Sequence, residues 1–309
     1  MNTGNNIMKV FITGGSGFIG SYISSYLLEN GYSVSATGTS SAHKLQDHNS
    51  FQYIRSDTTR KGEWQDSVNE ADIIINLAGR NIFRPWTKKY KEQIYNSRIL
   101  TTRNLVEALP EKKNTVLCNA SAIGYYGDKG EESIYEDSTA GKDFLAKVCI
   151  DWENEVLKAD DKGARVVIMR FGVVLGKNGG ALSKMAPLYK MCLGGPLGSG
   201  LQWFPWIHMD DLVSALFFAI GKKSFKGKAN FCSPNPVQNR FFSKKFGKSI
   251  KRPSFFNVPS PIIKIAAGEL GTSLMASQKS YPGKLLEAGF KFQYPDIEDA
   301  LLQVAGESE

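Results

Sequence analysis

A glycine-rich loop directly after the first hydrophobic run limits what this chain can fold into more than any other feature. Residues 8–13 (MKVFIT) are typical of a buried parallel strand, and residues 18–30 have the apolar spacing of a helix. Between them lies Gly14-Gly15-Ser16-Gly17-Phe18-Ile19-Gly20, which fits both GxGxxG and GxxGxxG. Such glycines permit a tight turn and close approach of backbone N–H groups to a pyrophosphate. The pattern predicts a dinucleotide-binding βαβ unit, with the phosphates at the helix N-terminus.

The end of the second predicted strand, residues 32–37, indicates which dinucleotide binds. Sites specific for NAD usually place a carboxylate here, where it accepts a hydrogen bond from the ribose 2′-OH. This chain has Thr39, Ser40 and Ser41 instead, and no carboxylate until Asp47. The hydroxyls of Thr39 and Ser40, with Lys44 nearby, suit a 2′-phosphate. We therefore expect NADP as the cofactor, with NAD as the second choice because no arginine lies in this segment.

Two further strand ends carry candidate cofactor contacts. Asp57 follows the third predicted strand, 51–55, and either accepts from the adenine amino group or serves as an ordinary turn aspartate. The fourth predicted strand, 71–76, ends in Asn76-Leu77-Ala78-Gly79, followed by Arg80. Small residues there let the backbone pass close to a ribose.

Alternation of strands and helices predicts the fold class. We expect an α/β protein with a Rossmann-type doubly wound parallel sheet and a smaller C-terminal cap domain. The NAD(P)-binding domain is expected over residues 8–175, with 207–228 packing back on it, and the substrate or cap domain over 176–206 and 229–309. The remaining predicted strands are 115–119 and 164–170. The predicted helices after the first are 62–70, 87–109, 143–159 and 211–220.

Composition restricts the class of protein. No apolar run in the 309 residues approaches the roughly 18–20 residues that span a bilayer. The first seven residues lack the basic and apolar regions of a signal peptide. Four widely spaced cysteines without a CxxC pair favour reduced thiols and a cytoplasmic location. Three histidines without zinc or EF-hand spacing predict no metal site.

The charge is uneven along the chain. The net charge is +8, and the stretch between Asp211 and Glu269 contains eleven lysines and arginines but no acidic residue. Such a stretch forms either a solvated basic face or a field that attracts an anionic small substrate. No nucleic-acid-binding motif accompanies it. The expected partner is therefore a small molecule, and an anionic one would fit the basic field. We expect neither nucleic acid nor membrane as a partner. The chain is expected to be a monomer or a homodimer.

Several longer motifs resemble a known family. The glycine loop and the NLAG segment resemble the short-chain dehydrogenase/reductase superfamily. The segments SAIGYYG, GVVLGKNGGALSKM, LGGPLGSGLQWFPWIHMDDL and PGKLLEAGFKFQYP are similar to its NAD-dependent epimerase/dehydratase branch, also called cell-division-inhibitor-like. The resemblance runs from Met8 to about Leu302. It implies a Rossmann domain that binds NADP and a C-terminal domain, and we count Val173 among the cofactor-binding residues. Arg80 departs from the branch, which often has glutamate there.

The resemblance also raises the question of catalytic residues. The superfamily uses a serine and a Tyr-Lys pair one helical turn apart. Ser121 matches the serine, although a turn or helix-cap serine is the alternative. Phe144 and Val148 occupy the positions of the tyrosine and the lysine, and neither can transfer a proton. Tyr125 and Tyr126 follow a strand's carboxyl end and remain the candidate acids.

Two functions stay open on these grounds. The first is an NADP-dependent oxidoreductase or epimerase-like enzyme in which Ser121 and a loop tyrosine serve the substrate oxygen. The second is a binding protein without turnover, in which the nucleotide acts as a signal. The literal YxxxK motif from Tyr125 to Lys129 contains a Gly-Asp pair, so we interpret it as coincidental.

Overall fold

A computed structural model describes residues 7–111 and 114–305. Strands and helices largely alternate through residue 175, and the structure adds short strands at 133–134 and 173–175 that the sequence analysis does not predict. The strands are β1 Lys9–Thr13, β2 Ser33–Gly38, β3 Phe51–Arg55, β4 Ile73–Asn76, β5 Val116–Ala122, β6 Ser133–Ile134, β7 Arg165–Phe171, β8 Val173–Leu175, β9 Trp203–Phe204, β10 Trp206–His208, β11 Gly227–Phe231, β12 Val237–Gln238 and β13 Lys279–Ser280. The helices are α1 Phe18–Glu29, α2 Trp64–Glu70, α3 Lys88–Ala108, α4 Phe144–Leu157, α5 Gly180–Lys190, α6 Met209–Gly221, α7 Asn239–Ser249, α8 Ser260–Leu274, α9 Gly283–Glu287 and α10 Ile297–Ala305.

Seven strands form the central sheet, in the order β11-β7-β5-β4-β1-β2-β3. Strand β1 pairs in parallel with β2 on one side and with β4 on the other. The strand order therefore reverses at β1, and in such sheets ligands bind beyond the carboxyl ends of the strands at that point. This topology confirms the predicted doubly wound Rossmann-type sheet. The sheet also contains β11, most of which the sequence analysis assigned to the cap domain.

The chain divides into two compact units. The first contains residues 1–81, 89–120 and 151–168, and the second contains 82–88, 121–150 and 169–309. This division differs from the predicted one, since residues 121–150 and 169–175 group with the C-terminal part.

The core of the first unit surrounds β1. Val10, Phe11 and Ile12 are all buried, as expected for a parallel strand that is covered on both faces. Phe11 stacks on Trp64 of α2, with ring centroids 6.0 Å apart. Each fully buried side chain of this size stabilises the fold by about 1.5–3 kcal/mol. The core thus fixes β1 rigidly, and the glycine loop begins where β1 ends.

The second unit has a core of its own. Trp206, Tyr189 and Phe242 are buried there together with apolar side chains of α5, α7 and α10. The hydroxyls of Tyr189 and Ser243 form a buried hydrogen bond of 2.5 Å, which satisfies both groups. Helix α6, whose first turn contains two aspartates, contacts β8 and β10.

The N-cap of α6 differs from the predicted one. The predicted helix 211–220 would have Asp210 as its N-cap, but the helix begins at Met209 and His208 caps it. The Nδ1 atom of His208 accepts from the Asp210 backbone N–H at 3.2 Å, and its Nε2 lies 3.0 Å from Gln303 Oε1. Asp211 is buried and accepts from the backbone N–H groups of Gln293 and Tyr294 at 2.6 and 2.9 Å. The aspartates therefore lie inside the first turn, where negative charge is favourable.

The buried His208 predicts a pH dependence of stability. Burial lowers the pKa of His208, although Asp210 acts in the opposite direction. The unfolded chain has a histidine pKa of about 6.5 and so binds a proton there more readily than the folded chain does. The stability contributed by neutral His208 is therefore present above about pH 6.5 and is lost as the pH falls below that value.

The test compares wild type with His208→Asn, which keeps an acceptor for the Asp210 N–H group. Free energies of unfolding in urea would be measured between pH 7.5 and 5.5. The advantage of wild type over the variant should shrink as the pH falls. A difference that stays constant over this range would contradict the assignment.

Candidate functional site

The glycine loop of the first unit forms a cradle that leaves no room for side chains. A Cβ atom on Gly20 would lie 2.3 Å from the Gly14 carbonyl oxygen, and one on Gly15 would lie 2.5 Å from the Ala36 Cβ atom. Gly14 has a φ of +70°, in the left-handed region that favours glycine. These contacts bring α1 directly against the turn after β1. The cradle therefore has the shape that close approach of a pyrophosphate requires.

The start of α1 suits an anion. Its N-cap is Gly17, which makes no side-chain capping bond, and the first turn contains no acidic residue. The first N–H groups of a helix have no partner within the helix, and the helix dipole adds positive potential there. Phe18 and Ile19 begin the helix, so their backbone lies where the sequence predicts phosphate contacts.

The end of β2 lies beside this cradle. The Gly15 N–H group donates to the Thr37 carbonyl at 2.8 Å. A Cβ on Gly38 would lie only 2.2 Å from Ser16 Oγ, so the chain leaves β2 in contact with the glycine loop. The exposed residues Thr39 and Ser40 follow immediately. The structure thus brings these predicted 2′-phosphate contacts next to Ser16.

The segment after β4 meets the same loop from the other side. A Cβ on Gly14 would lie 3.0 Å from the backbone of Leu77 and Ala78. The Leu77 and Ala78 N–H groups both donate to Thr13 Oγ1 at 3.2 Å. Sequence analysis missed Thr13, because a hydroxyl inside an apolar strand carries no pattern of its own.

Gly79 and Arg80 are held by helix α3. The Arg80 N–H group donates to Ser97 Oγ at 2.9 Å, and the Arg98 guanidinium donates to the Arg80 carbonyl at 3.3 Å. A Cβ on Gly79 would lie 2.9 Å from the central carbon of that guanidinium. The Arg80 side chain itself is exposed. This leaves a cation at the loop after β4, where the sequence resemblance implies glutamate.

Asp57 closes a local turn. One of its oxygens accepts from the Thr59 N–H group at 3.1 Å and from the Thr59 hydroxyl at 2.7 Å. These are the contacts of an ordinary turn aspartate. The predicted contact of Asp57 with the adenine amino group stays a prediction.

The three catalytic candidates all lie in the second unit. Ser121 is buried near the end of β5, which extends to Ala122, three residues beyond the predicted end at 119. Tyr125 is half-buried in a short 3-10 helix, with the Arg170 guanidinium 3.5 Å from its ring centroid. A cation over an aromatic face holds the ring in place.

Tyr126 has a structural role instead of the expected catalytic one. Its side chain is 0% exposed. Its hydroxyl donates to Asn230 Oδ1 at 2.8 Å and accepts from Arg170 Nη1 at 2.7 Å. Burial raises the pKa of the phenol well above its usual value, although Arg170 acts to lower it. Both hydrogen-bonding roles of the hydroxyl are used, so its proton is not available to a substrate.

Phe144 and Val148 are the residues that the sequence resemblance aligns with the superfamily's Tyr-Lys pair. Phe144 packs edge-on against Trp86, with centroids 5.2 Å apart, and Val148 is buried. In the literal YxxxK motif, Lys129 Nζ donates to Thr139 Oγ1. The coincidental interpretation of this motif and the absence of a conventional proton-transfer pair stay predictions.

Val173 lies in β8, where it pairs with Trp206 and packs on the core of the second unit. The glycines at 194 and 195 have packing reasons, since Cβ atoms there would overlap Tyr189 and the Phe256 backbone. Within residues 7–111 and 114–305, no group of three metal-ligating side chains occurs, and no helix is long and apolar enough to cross a membrane.

Comparison with known proteins agrees with this architecture. Residues 10–231 match the NAD dependent epimerase/dehydratase family, and residues 258–304 match DUF1731, a domain of unknown function. The chain is 39% identical over 298 residues to the chloroplastic SDR39U1 homologue of Arabidopsis thaliana, an epimerase family protein, covering 95% of this chain and 86% of the relative.

Solved structures lead to the same family. Human epimerase family protein SDR39U1 (isoform 2), solved with NADPH, matches with a TM-score of 0.85 and 28% identity over 97% of this chain and all of that one. The UDP-glucuronic acid 4-epimerase of Bacillus cereus, solved with NAD, shares the fold at a TM-score of 0.78 and 18% identity, covering 97% of this chain and 98% of that one. These matches confirm the family resemblance seen in the sequence motifs. The chain belongs to the NAD dependent epimerase/dehydratase family of NAD(P)-binding proteins.

Proposed function

We propose that this protein is an NADP(H)-dependent oxidoreductase or epimerase-like enzyme that acts on a small-molecule substrate. The observation that carries the proposal is the glycine cradle between β1 and α1, bordered by a strand end without a carboxylate. The cradle fits a pyrophosphate because Cβ atoms at Gly15 and Gly20 would fill it. The exposed hydroxyls of Thr39 and Ser40 fit a 2′-phosphate.

Two observations support NADP over NAD. No acidic residue lies between Gly38 and Asp47, so nothing in that segment repels a phosphate. Lys44 is exposed in the same segment. The human SDR39U1 structure with NADPH supports the same choice, whereas the more distant Bacillus cereus enzyme was solved with NAD.

Chemistry at the substrate would fall to Ser121 and Tyr125. When bound, the nicotinamide would supply or accept a hydride. Ser121 would hydrogen-bond the substrate oxygen, and Tyr125, held by Arg170, would exchange a proton with it. Arg80 and the lysine-rich stretch after Asp211 favour a substrate that carries negative charge. We also propose a cytoplasmic location, which four widely spaced cysteines without a CxxC pair favour.

A second candidate function is NADP sensing without turnover. The apolar Phe144 and Val148 at the positions of the proton-transfer pair favour it, as does the fully bonded Tyr126. The two candidates share the cofactor site and differ only in whether hydride moves.

The first prediction concerns cofactor preference. Wild type should bind NADPH more tightly than NADH, because only NADPH has a 2′-phosphate that Thr39, Ser40 and Lys44 could bind. Lys44→Ala should weaken NADPH binding roughly fivefold, corresponding to about 1 kcal/mol for an exposed charge pair. NADH binding should not change. Fluorescence titration of both cofactors measures these affinities.

Lys61→Ala is the matched control, because Lys61 is an exposed lysine of the same unit that pairs with Glu107 at 2.7 Å. Its cofactor affinities should equal those of wild type. Tighter binding of NADH than NADPH by wild type would refute the proposed preference.

The second prediction concerns turnover. NADPH consumption against a panel of carbonyl compounds and nucleotide sugars should identify a substrate. Ser121→Ala and Tyr125→Phe should then each lower kcat by about 10²-fold or more, the usual contribution of a positioned acid or base. NADPH affinity should stay within about twofold of wild type in both variants, since neither residue belongs to the glycine cradle.

Tyr135→Phe serves as the control for Tyr125→Phe, because Tyr135 is exposed and stacks on Tyr281 in the same unit. It should leave turnover unchanged. Tight NADPH binding with no turnover of any panel member would favour the sensing function. Unchanged rates in both active-site variants would remove the catalytic assignment.

A further inference from the structure

His43 stands apart from its neighbours in the segment that joins β2 to β3. Of residues 39–50, all described by the structure, His43 alone is buried, with 6% of its surface exposed. Its ring packs against those of Phe51 and Tyr53, with centroids 4.7 and 5.4 Å away. A polar ring buried in a solvated loop needs hydrogen-bond partners for both nitrogens.

The hydrogen-bond partners of His43 define the tautomer of its imidazole ring. Nδ1 accepts from the Leu45 N–H group at 3.1 Å, so the proton of a neutral ring is on Nε2. Nε2 lies 3.0 Å from the Gly15 carbonyl oxygen and therefore donates to it. Ser21 Oγ also donates to this carbonyl, at 3.2 Å. The imidazole thus joins the β2–β3 connection to the middle of the glycine loop.

A second bond fixes the same segment. The Tyr53 hydroxyl donates to the Ser40 carbonyl at 3.0 Å. Its oxygen would also lie 2.6 Å from a Cβ on Gly38. Thr39, Ser40 and Ser41 are therefore held at both ends, by Gly38 against Ser16 and by His43 against Gly15. Their hydroxyls stay exposed on a backbone that is anchored to the phosphate cradle.

We propose that His43 is a specificity-determining positioning residue. Its Nε2–H···O=C bond to Gly15 holds the hydroxyl segment 39–41 and the adjacent Lys44 where a 2′-phosphate would bind. The inference rests on the proposed NADP(H) function and adds the residue that makes the preference possible. A purely structural His43 would affect stability, or both cofactors equally, whereas a positioning residue affects the phosphate-bearing ligands selectively.

Two substitutions separate the two nitrogens. His43→Gln places an amide N–H group near the Nε2 position and so retains the donor to Gly15. His43→Asn places an oxygen near the Nδ1 position and so retains the acceptor for Leu45, but it loses the bond to Gly15. His48→Asn is the matched control, because exposed His48 also accepts a backbone N–H group through Nδ1, from Ser50 at 3.2 Å.

The experiment measures dissociation constants of NADPH, NADH and 2′,5′-ADP by calorimetry, with the thermal unfolding midpoint of each variant. His43→Asn should weaken NADPH and 2′,5′-ADP about tenfold and NADH less than about twofold, as expected for one lost buried hydrogen bond. His43→Gln should retain most of the preference for NADPH. His48→Asn should behave as wild type.

Several outcomes would overturn the proposal. An equal loss for NADPH and NADH in His43→Asn, or no loss, would show that His43 does not determine specificity. If His43→Asn does not fold, Tyr53→Phe takes its place, since it removes only the bond to the Ser40 carbonyl. An unchanged preference for NADPH over NADH in that variant would overturn the proposal, and a reduced preference would support it. A wild type that prefers NADH would overturn both the proposed function and this inference, whereas a preference retained in His43→Asn would overturn the inference alone.

Discussion

The close approach of three backbone segments at the glycine loop is the constraint on which the rest of the first unit depends. The turn after β1, the end of β2 and the start of α1 meet with no space for a Cβ at Gly15 or Gly20. A side chain at either position would push α1 away from the sheet and would also fill the space for a pyrophosphate. Fold and cofactor site are therefore consequences of the same packing.

Buried polar side chains complete the ligand-binding edge of the sheet. Thr13 donates to Asn76 Oδ1, and Asn76 donates in turn to Asn119 Oδ1 and Thr102 Oγ1. These bonds tie the carboxyl ends of β1, β4 and β5 to one another and to α3. Leaving one such buried group without its partner costs about 1–3 kcal/mol, so the arrangement resists distortion. Thr13 also receives the N–H groups of Leu77 and Ala78, which extends the same network to the loop after β4.

Two adjacent tyrosines that look equivalent in the sequence have different environments in the second unit. Tyr125 and Tyr126 are adjacent, and both follow a strand's carboxyl end. Arg170 donates to the hydroxyl of one and lies over the ring of the other. Because Arg170 lies 44 residues from Tyr126, no local spacing indicates which tyrosine is buried. The same holds for His208, whose partner Gln303 is 95 residues away.

The sequence by itself determined the longer strands and helices up to β7, the doubly wound sheet and the location of the glycine loop. Those features follow from hydrophobic periodicity and glycine spacing, which act between near neighbours in the chain. Only the tertiary structure decided that β11 joins the sheet, that Tyr126 is structural, that His208 contacts Gln303 and that His43 bonds to Gly15. Each of these depends on a contact between residues far apart in sequence, and such contacts leave no periodic pattern to read.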